Sequence, residues 1–464
     1  MNRLMTHEPT VLASRACMGA LLVLSLLTTA CSNDLTVPNF NNPAREDLTG
    51  SPTTQTVSAA TQGIISGHRG LKSGLVGRLG VWGREYYDLR PEEPRPYTDA
   101  LVDPIDPVNG GLYFSGQYTQ IAHINTVIAA AEAAEGLAEA ERRSIQGFAK
   151  TFKADAYWQL IMARPAGVGL PLDPNPDPNG ELTPISSEAE VYQFILDLYD
   201  EALADLNAGG SSFPFSVPSG LSDFDTPTSF AELNRALKTR ALKYLSRWSE
   251  VQATLPATFI DAGGDLDAGA YFDYSTISGD ATNGLFGDVN RYAHPRVRGD
   301  AQMQPGGEID QRALDKTVPI QTTTIFGITV TERMDVYTSL TAPLPWITND
   351  DLLLMRAEAR LATGDRAGAI DDVNAVRTGA GGLEPLPADF SGDLLEEILY
   401  NRYMSLLFEG GFHYFDMRQY DKLDDLPRAL PDHKVYPGFP YPTNECLARS
   451  LGSGDPACAT YTGS

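Results

Sequence analysis

The stretch Leu406 to Tyr420, LLFEGGFHYFDMRQY, sets His413, Asp416 and Arg418 among aromatic residues directly after two glycines. A catalytic loop, a ligand platform and an internal packing corner would each produce such a run, so the rest of the chain has to decide. No GxSxG, HExxH, CxxC or glycine-rich phosphate loop occurs in the sequence. The segment FEGGF lacks the flanking strand and lysine that a phosphate cradle needs. None of the six histidines has a second histidine at helical ligand spacing. Carboxylates stand side by side at Asp350 and Asp351, Asp371 and Asp372, Glu396 and Glu397, and Asp424 and Asp425. Neighbours on a helix point apart, so none of these makes a glycosidase acid–base pair by itself. They read as solvated faces or N-terminal caps. A hydrolase would need carboxylates brought together from distant segments, and no catalytic or metal-ligating residue is expected. The loop LDPNPDPNGE places Asp173, Asn175, Asp177 and Asn179 at alternate positions, as a calcium loop does. Its prolines and misplaced glycine depart from EF-hand spacing, so calcium is only a weak cofactor expectation.

The chain has 464 residues, with 35 Lys and Arg against 60 Asp and Glu, a formal charge of -25. That charge repels phosphate backbones and excludes nucleic acid as a natural partner. Arg3 and Arg15 precede the apolar run ACMGALLVLSLLTTAC, which is short for a membrane span and ends in small residues. Residues 1–30 therefore read as a secretion signal. The sequence LTTAC resembles a bacterial lipobox, with Thr28 where leucine is usual. Cys31 then becomes a lipidated first residue, each acyl methylene adding ~0.8 kcal/mol of membrane affinity. Residues 31–52 follow as a polar tether. The remaining cysteines, Cys446 and Cys458, lie in a Gly/Pro/Asp-rich tail (430–464) and are expected to form a disulfide in an oxidising exterior.

The elements between are mainly α-helical in period. Residues 53–66, 116–134 and 138–162 place apolar side chains three and four apart. PISSEAEVYQFILDLYDEALADLNAGG opens on a serine cap, buries Val191, Phe194, Ile195, Leu198 and Leu203, and stops at Gly209 and Gly210. A further helix covers about 229–252. Between about 255 and 345 the pattern breaks into an irregular insertion, where TVPIQTTTIFGITVTERMDVY suggests a hairpin. Helix resumes with NDDLLLMRAEARLATGDRAGAIDDVNAVRTGAGG, an antiparallel pair that resembles a tetratricopeptide (TPR) repeat. Ala156, Ala241 and Ala357 fall in register in three segments, each with a leucine four residues later. The expectation is a mainly α body over 53–464, with TPR-like helices at about 116–252 and 350–409 and few short strands.

Taken together, the lipobox, the tether LTVPNFNNP, the segment GLPL…ISSEAEVYQFILDLYDEALADL, the pair DDLLLMRAEARLATGDRAGAIDDVNAVR and ILYNRYMSLLFEGGFHYFDMRQY resemble the SusD/RagB family of outer-membrane nutrient-binding lipoproteins. The resemblance implies a protein without enzymatic activity on the cell exterior. It would capture an oligosaccharide or peptide and pass it to a SusC-like TonB-dependent transporter. A TPR-type interaction scaffold is the alternative, although it would not need the Tyr-rich insertions. In the family the opening stretch is a structural corner. Gly410 or Gly411 would supply a left-handed cap, and Glu409, Asp416 and Arg418 would pair with each other or with backbone. Phe412, Tyr414 and Phe415 would fill the seam. Asn401, Tyr403 and Ser405 depart from the family's Glu and Arg, which implies a thinner ion-pair network.

The resemblance implies a ligand platform on the face away from the repeat layer. Trp82 stands in LGVWGREYYDLRPEEPRPYTDALVDP beside Tyr86, Tyr87 and Tyr97, and GGLYFSGQYTQ adds Tyr113, Phe114 and Tyr118. Arg84, Asp88 and Arg90 would supply polar contacts. Tyr271, Tyr274, Phe286 and Tyr292 form a second aromatic patch from the insertion. The alternative is that Trp82 and Tyr87 seal the first helices to the body. Trp158 and Trp248 read as core, and Trp346 as packing at a helix entry.

Overall fold

The computed structural model describes residues 45–111, 113–174, 177 and 180–464. The expected signal segment, Cys31 and most of the tether lie outside the described residues. The body is mainly α, as the periodicity requires. Its helices are α1 (Thr54–Trp82), α2 (Ser115–Ala133), α3 (Glu139–Met162), α4 (Glu188–Asn207), α5 (Pro227–Tyr244), α6 (Trp248–Thr254), α7 (Asn349–Ala362), α8 (Arg366–Gly379), α9 (Leu394–Ser405) and α10 (Phe412–Gln419).

Cap chemistry sets several starts. Ser187 accepts from the Glu190 amide at 3.4 Å while Glu190 accepts from the Ser187 amide at 2.7 Å, which closes a capping box on α4. Asp365 accepts from the Gly368 amide at 2.9 Å and opens α8. α7 and α8 then pack through Ala357, Ala369 and Val373, all fully buried. The expected helix over 229–252 is two helices. The chain breaks between α5 and α6, where Ser246 takes a left-handed φ of 54°.

α1 is far longer than the expected 53–66, because six glycines obscure its period. Each costs about 1 kcal/mol of helix propensity relative to alanine. What they permit is close approach. Gln120 donates to the Ile64 carbonyl at 2.8 Å, crossing Gly67, where a Cβ would lie 2.2 Å from its oxygen. The His123 imidazole reaches the Ala60 carbonyl at 2.9 Å, and the Tyr86 and Tyr113 hydroxyls donate to the Gly77 and Gly74 carbonyls. α2 and the strand after α1 are thus fastened to the helix backbone.

The strands are few and short. β1 (Tyr86–Asp88), β3 (Arg291–Ala293), β4 (Thr317–Ile325) and β5 (Ile328–Met334) form an antiparallel sheet in the order β1-β3-β5-β4. β4 and β5 are the hairpin suggested by the sequence, turned by Phe326 and Gly327 at φ 52° and 82°. β2 (Gly269–Phe272) pairs with β6 (Leu344–Thr348). Trp346 lies within β6, 1% exposed, and donates to Asp155 at 3.1 Å. Trp158 is buried as expected, whereas Trp248 is half-buried at the start of α6. In the tail, Cys446 and Cys458 are joined in a disulfide with their Cα atoms 5.9 Å apart.

The Leu406–Tyr420 stretch is a packing corner. Gly411 has φ 68°, and a Cβ there would meet the Leu79 Cβ at 2.2 Å, so both backbone and space demand glycine. Phe412, Tyr414 and Phe415 are buried in the seam. Asp416 accepts from Arg402 at 2.8 Å, from the Tyr244 hydroxyl at 2.9 Å and from Lys243. Burial opposes its charge, but Arg402 and Lys243 outweigh that and hold its carboxyl below the usual range. Arg402 also pairs with Asp351 at 2.8 Å and Glu358 at 3.3 Å. Glu409 pairs with Lys316 at 2.8 Å, and Arg418 donates to the carbonyls of Met162, Arg164 and Pro437. Glu409, Asp416 and Arg418 therefore find their partners in other elements rather than in each other, and Arg418 does so through backbone carbonyls outside the stretch. At the three positions of the implied thinning, hydrogen bonds stand and no ion pair forms among the described residues. Asn401 and Ser405 bind the buried Arg312 at 3.0 and 3.2 Å, and Tyr403 donates to the Arg84 carbonyl at 3.1 Å.

Candidate functional site

The four leading aromatics of the expected platform are core. Trp82, 2% exposed, stacks on Phe439 with centroids 4.2 Å apart and is flanked by Tyr414 and Tyr436. Tyr86 is fully buried with its edge against Phe408 at 4.8 Å. Tyr87 is buried against His294 at 4.8 Å, and Tyr97 stacks on Phe326 and shares a 3.0 Å hydrogen bond with His433. Arg84 is buried too, donating to the carbonyls of Val81, Trp82, Pro427 and Lys434. The physical reason is that α1 runs on to Trp82 and feeds directly into β1, so the aromatics sit between a helix and a sheet. The prolines that suggested a surface loop all follow Leu89, and of the charges before it, Arg84 and Glu85 are themselves buried.

The second patch does not assemble either. Tyr271 on β2 is half-buried and donates to the Asp267 carbonyl, whereas Tyr292 on β3, in a different sheet, pairs with Tyr87 and Arg333. Tyr274 is buried beneath the Arg69 guanidinium at 4.9 Å, and Phe286 lines a separate cavity of about 240 Å³ with Tyr337 and Phe408.

Tyr113 and Asp88 do come together. They line an open cleft of about 410 Å³ with Gly74, Gly77, Arg78, Glu93, Arg95 and Asp99. Its floor is bare helix: a Cβ added at Gly77 would meet nothing within 4 Å, and one at Gly74 would touch only the Tyr113 ring, at 3.2 Å. Tyr113 holds that position with φ 58°. Burial raises its hydroxyl to about 12, against the opposing pull of Arg78, so it stays a donor to the Gly74 carbonyl. Arg95 pairs with Glu93 at 2.5 Å on the outer wall. Arg90 holds Asp88 at 2.6 Å and also grips Asp288, which ties this wall to the insertion. Arg78 has one guanidinium nitrogen buried without a hydrogen-bond partner, and Asp99 makes no ion pair among the described residues.

This arrangement offers donors and acceptors of both signs over an exposed backbone, and no nucleophile paired with a base. It suits binding of a hydroxyl- or amide-rich molecule. Arg78, Glu93, Arg95 and Asp99 were not singled out in the sequence. The signal was present in the helical spacing of Gly74, Gly77 and Arg78 and in the charge cluster PEEPRP. Tyr118 lines a different cavity. Of the calcium-like loop, Asp173 pairs with Lys153 at 2.5 Å, and Asn175 and Asn179 lie outside the described residues. No group of three or more His, Cys, Asp or Glu among the described residues is placed to hold a metal.

Residues 341–438 match the model of the SusD family. No curated protein matches the chain. Among solved structures, NanU of B. fragilis superposes with a TM-score of 0.63 at 16% identity, over 88% of this chain and 96% of that one. A SusD superfamily protein from Bacteroides vulgatus gives 0.62 at 16% identity, over 86% and 97%. A SusD-like carbohydrate binding protein from the same species gives 0.58 at 18% identity, over 79% and 83%.

Proposed function

We propose that this chain, whose residues 341–438 match the SusD family model and whose fold superposes on SusD superfamily structures, works as that family does and captures a nutrient at the cell surface, an oligosaccharide or a peptide. It hands this ligand to a SusC-like TonB-dependent transporter. In this reading Cys31 carries the lipid that holds the protein on the outer membrane. No helix among the described residues is long and apolar enough to cross a membrane. The observation that carries the reading is the charged cleft over Gly74 and Gly77, open to solvent and lacking a nucleophile–base pair. Ligand affinity there comes from hydrogen bonds to Arg78 and Asp99 rather than from aromatic stacking.

The test is an array of oligosaccharides and short peptides probed with the full-length protein and with its Arg78→Ala and Asp99→Asn variants. Retention of one ligand class by the wild type, weakened about tenfold or more in each variant at unchanged melting temperature, is the expected result. One charge-assisted hydrogen bond contributes ~1.5–3 kcal/mol, and 1.4 kcal/mol is tenfold. Binding indifferent to both substitutions would place the ligand elsewhere.

A further inference from the structure

A second cavity, of about 480 Å³, opens where the first turns of α2 meet Pro171, Pro174, residues 180–183 and the short helix Thr443–Ala448. Its floor is apolar. The Phe114 and Tyr118 rings lie 4.8 Å apart, and the Tyr118 hydroxyl donates to the Pro171 carbonyl at 2.8 Å, which fixes the ring against the wall. Pro442 and Leu182 complete the apolar lining. The Cys446–Cys458 disulfide closes the chain that forms the third side.

The rim differs in charge from the cleft over α1. Its cation, Arg449, is already engaged: it donates to the Thr183 carbonyl at 2.7 Å and to Glu445 at 2.5 Å. Glu181 is exposed and has no ion pair among the described residues. An apolar pocket with a spare carboxylate, on a chain of net charge -25, complements a ligand that is apolar and basic. Aromatic and proline surfaces of this kind accept extended peptides, and a cation beside the Tyr118 ring gains further attraction.

We propose that this cavity is a second binding site, independent of the cleft, that takes a basic peptide. An apolar side chain would rest on Phe114, Tyr118 and Pro442, with an ammonium or guanidinium group at Glu181. The test is calorimetric titration of the full-length protein with acetyl-Leu-Pro-Lys-amide and with acetyl-Leu-Pro-Glu-amide. The lysine peptide is expected to bind about tenfold tighter than the glutamate peptide, and more weakly at high salt. Glu181→Gln, an exposed change that leaves the fold alone, should cut that preference about fivefold. Tyr118→Phe should retain binding and Tyr118→Ala should lose it, while Arg78→Ala in the cleft leaves it unchanged. Equal affinity for the two peptides, no binding of either, or a preference untouched by Glu181→Gln would overturn the proposal. Loss of lysine-peptide binding in Arg78→Ala would overturn it as well, by assigning that peptide to the cleft.

Discussion

Trp82 stands among glycines, charges and prolines in the sequence, and that company marked it as surface. In the structure its ring faces Phe439, Tyr414 and Tyr436, all from the C-terminal third of the chain. Sequence neighbours carry no information about such partners, so the sequence left two readings open, and the sealing of the first helices to the body is the one the structure shows. The corner at Leu406–Tyr420 was legible, because two glycines beside a run of aromatics limit the local geometry to a turn that packs back. Trp82→Ala should cost ~3–5 kcal/mol, as truncation of a buried aromatic does. Denaturant unfolding measures it, and the folded fraction of the variant should still bind ligand. Lost binding at unchanged stability would return Trp82 to the ligand platform.

At the scale of elements, caps and period were enough for α4, α7 and α8, because Ser187, Asp365 and the buried alanines act within one or two turns. They were not enough for α1, where glycines dilute the apolar period and the stabilising contacts come from Gln120, His123, Tyr113 and Tyr86. The junction of α1 with α10 depends on one glycine of the pair. A Cβ at Gly411 meets the Cβ and backbone of Leu79 at a left-handed φ, whereas one at Gly410 meets only side-chain ends of Phe412 and Lys72. The left-handed conformation alone costs an alanine ~1–2 kcal/mol, before the clash is counted. Gly411→Ala should therefore lower the thermal midpoint well beyond Gly410→Ala. Equal midpoints for the two variants would show that this corner does not fasten α1 to α10.

At the scale of the whole molecule, the helical class, the hairpin and the tail cysteines could be read in order along the chain. The cleft could not. It exists only where the far half of α1, the end of β1, the segment from Glu93 to Asp99 and Tyr113 converge. Each contributes one or two charged or bare positions that mean little alone. The proposed function puts a nutrient molecule in this cleft, held by hydrogen bonds over exposed helix backbone. The most direct measurement is a crystal structure of the full-length protein bound to the tightest ligand from the array. Ligand density is expected above Gly74 and Gly77, within hydrogen-bond distance of Arg78 and Asp99. Density on another surface, with the cleft vacant in the same crystal, would contradict it.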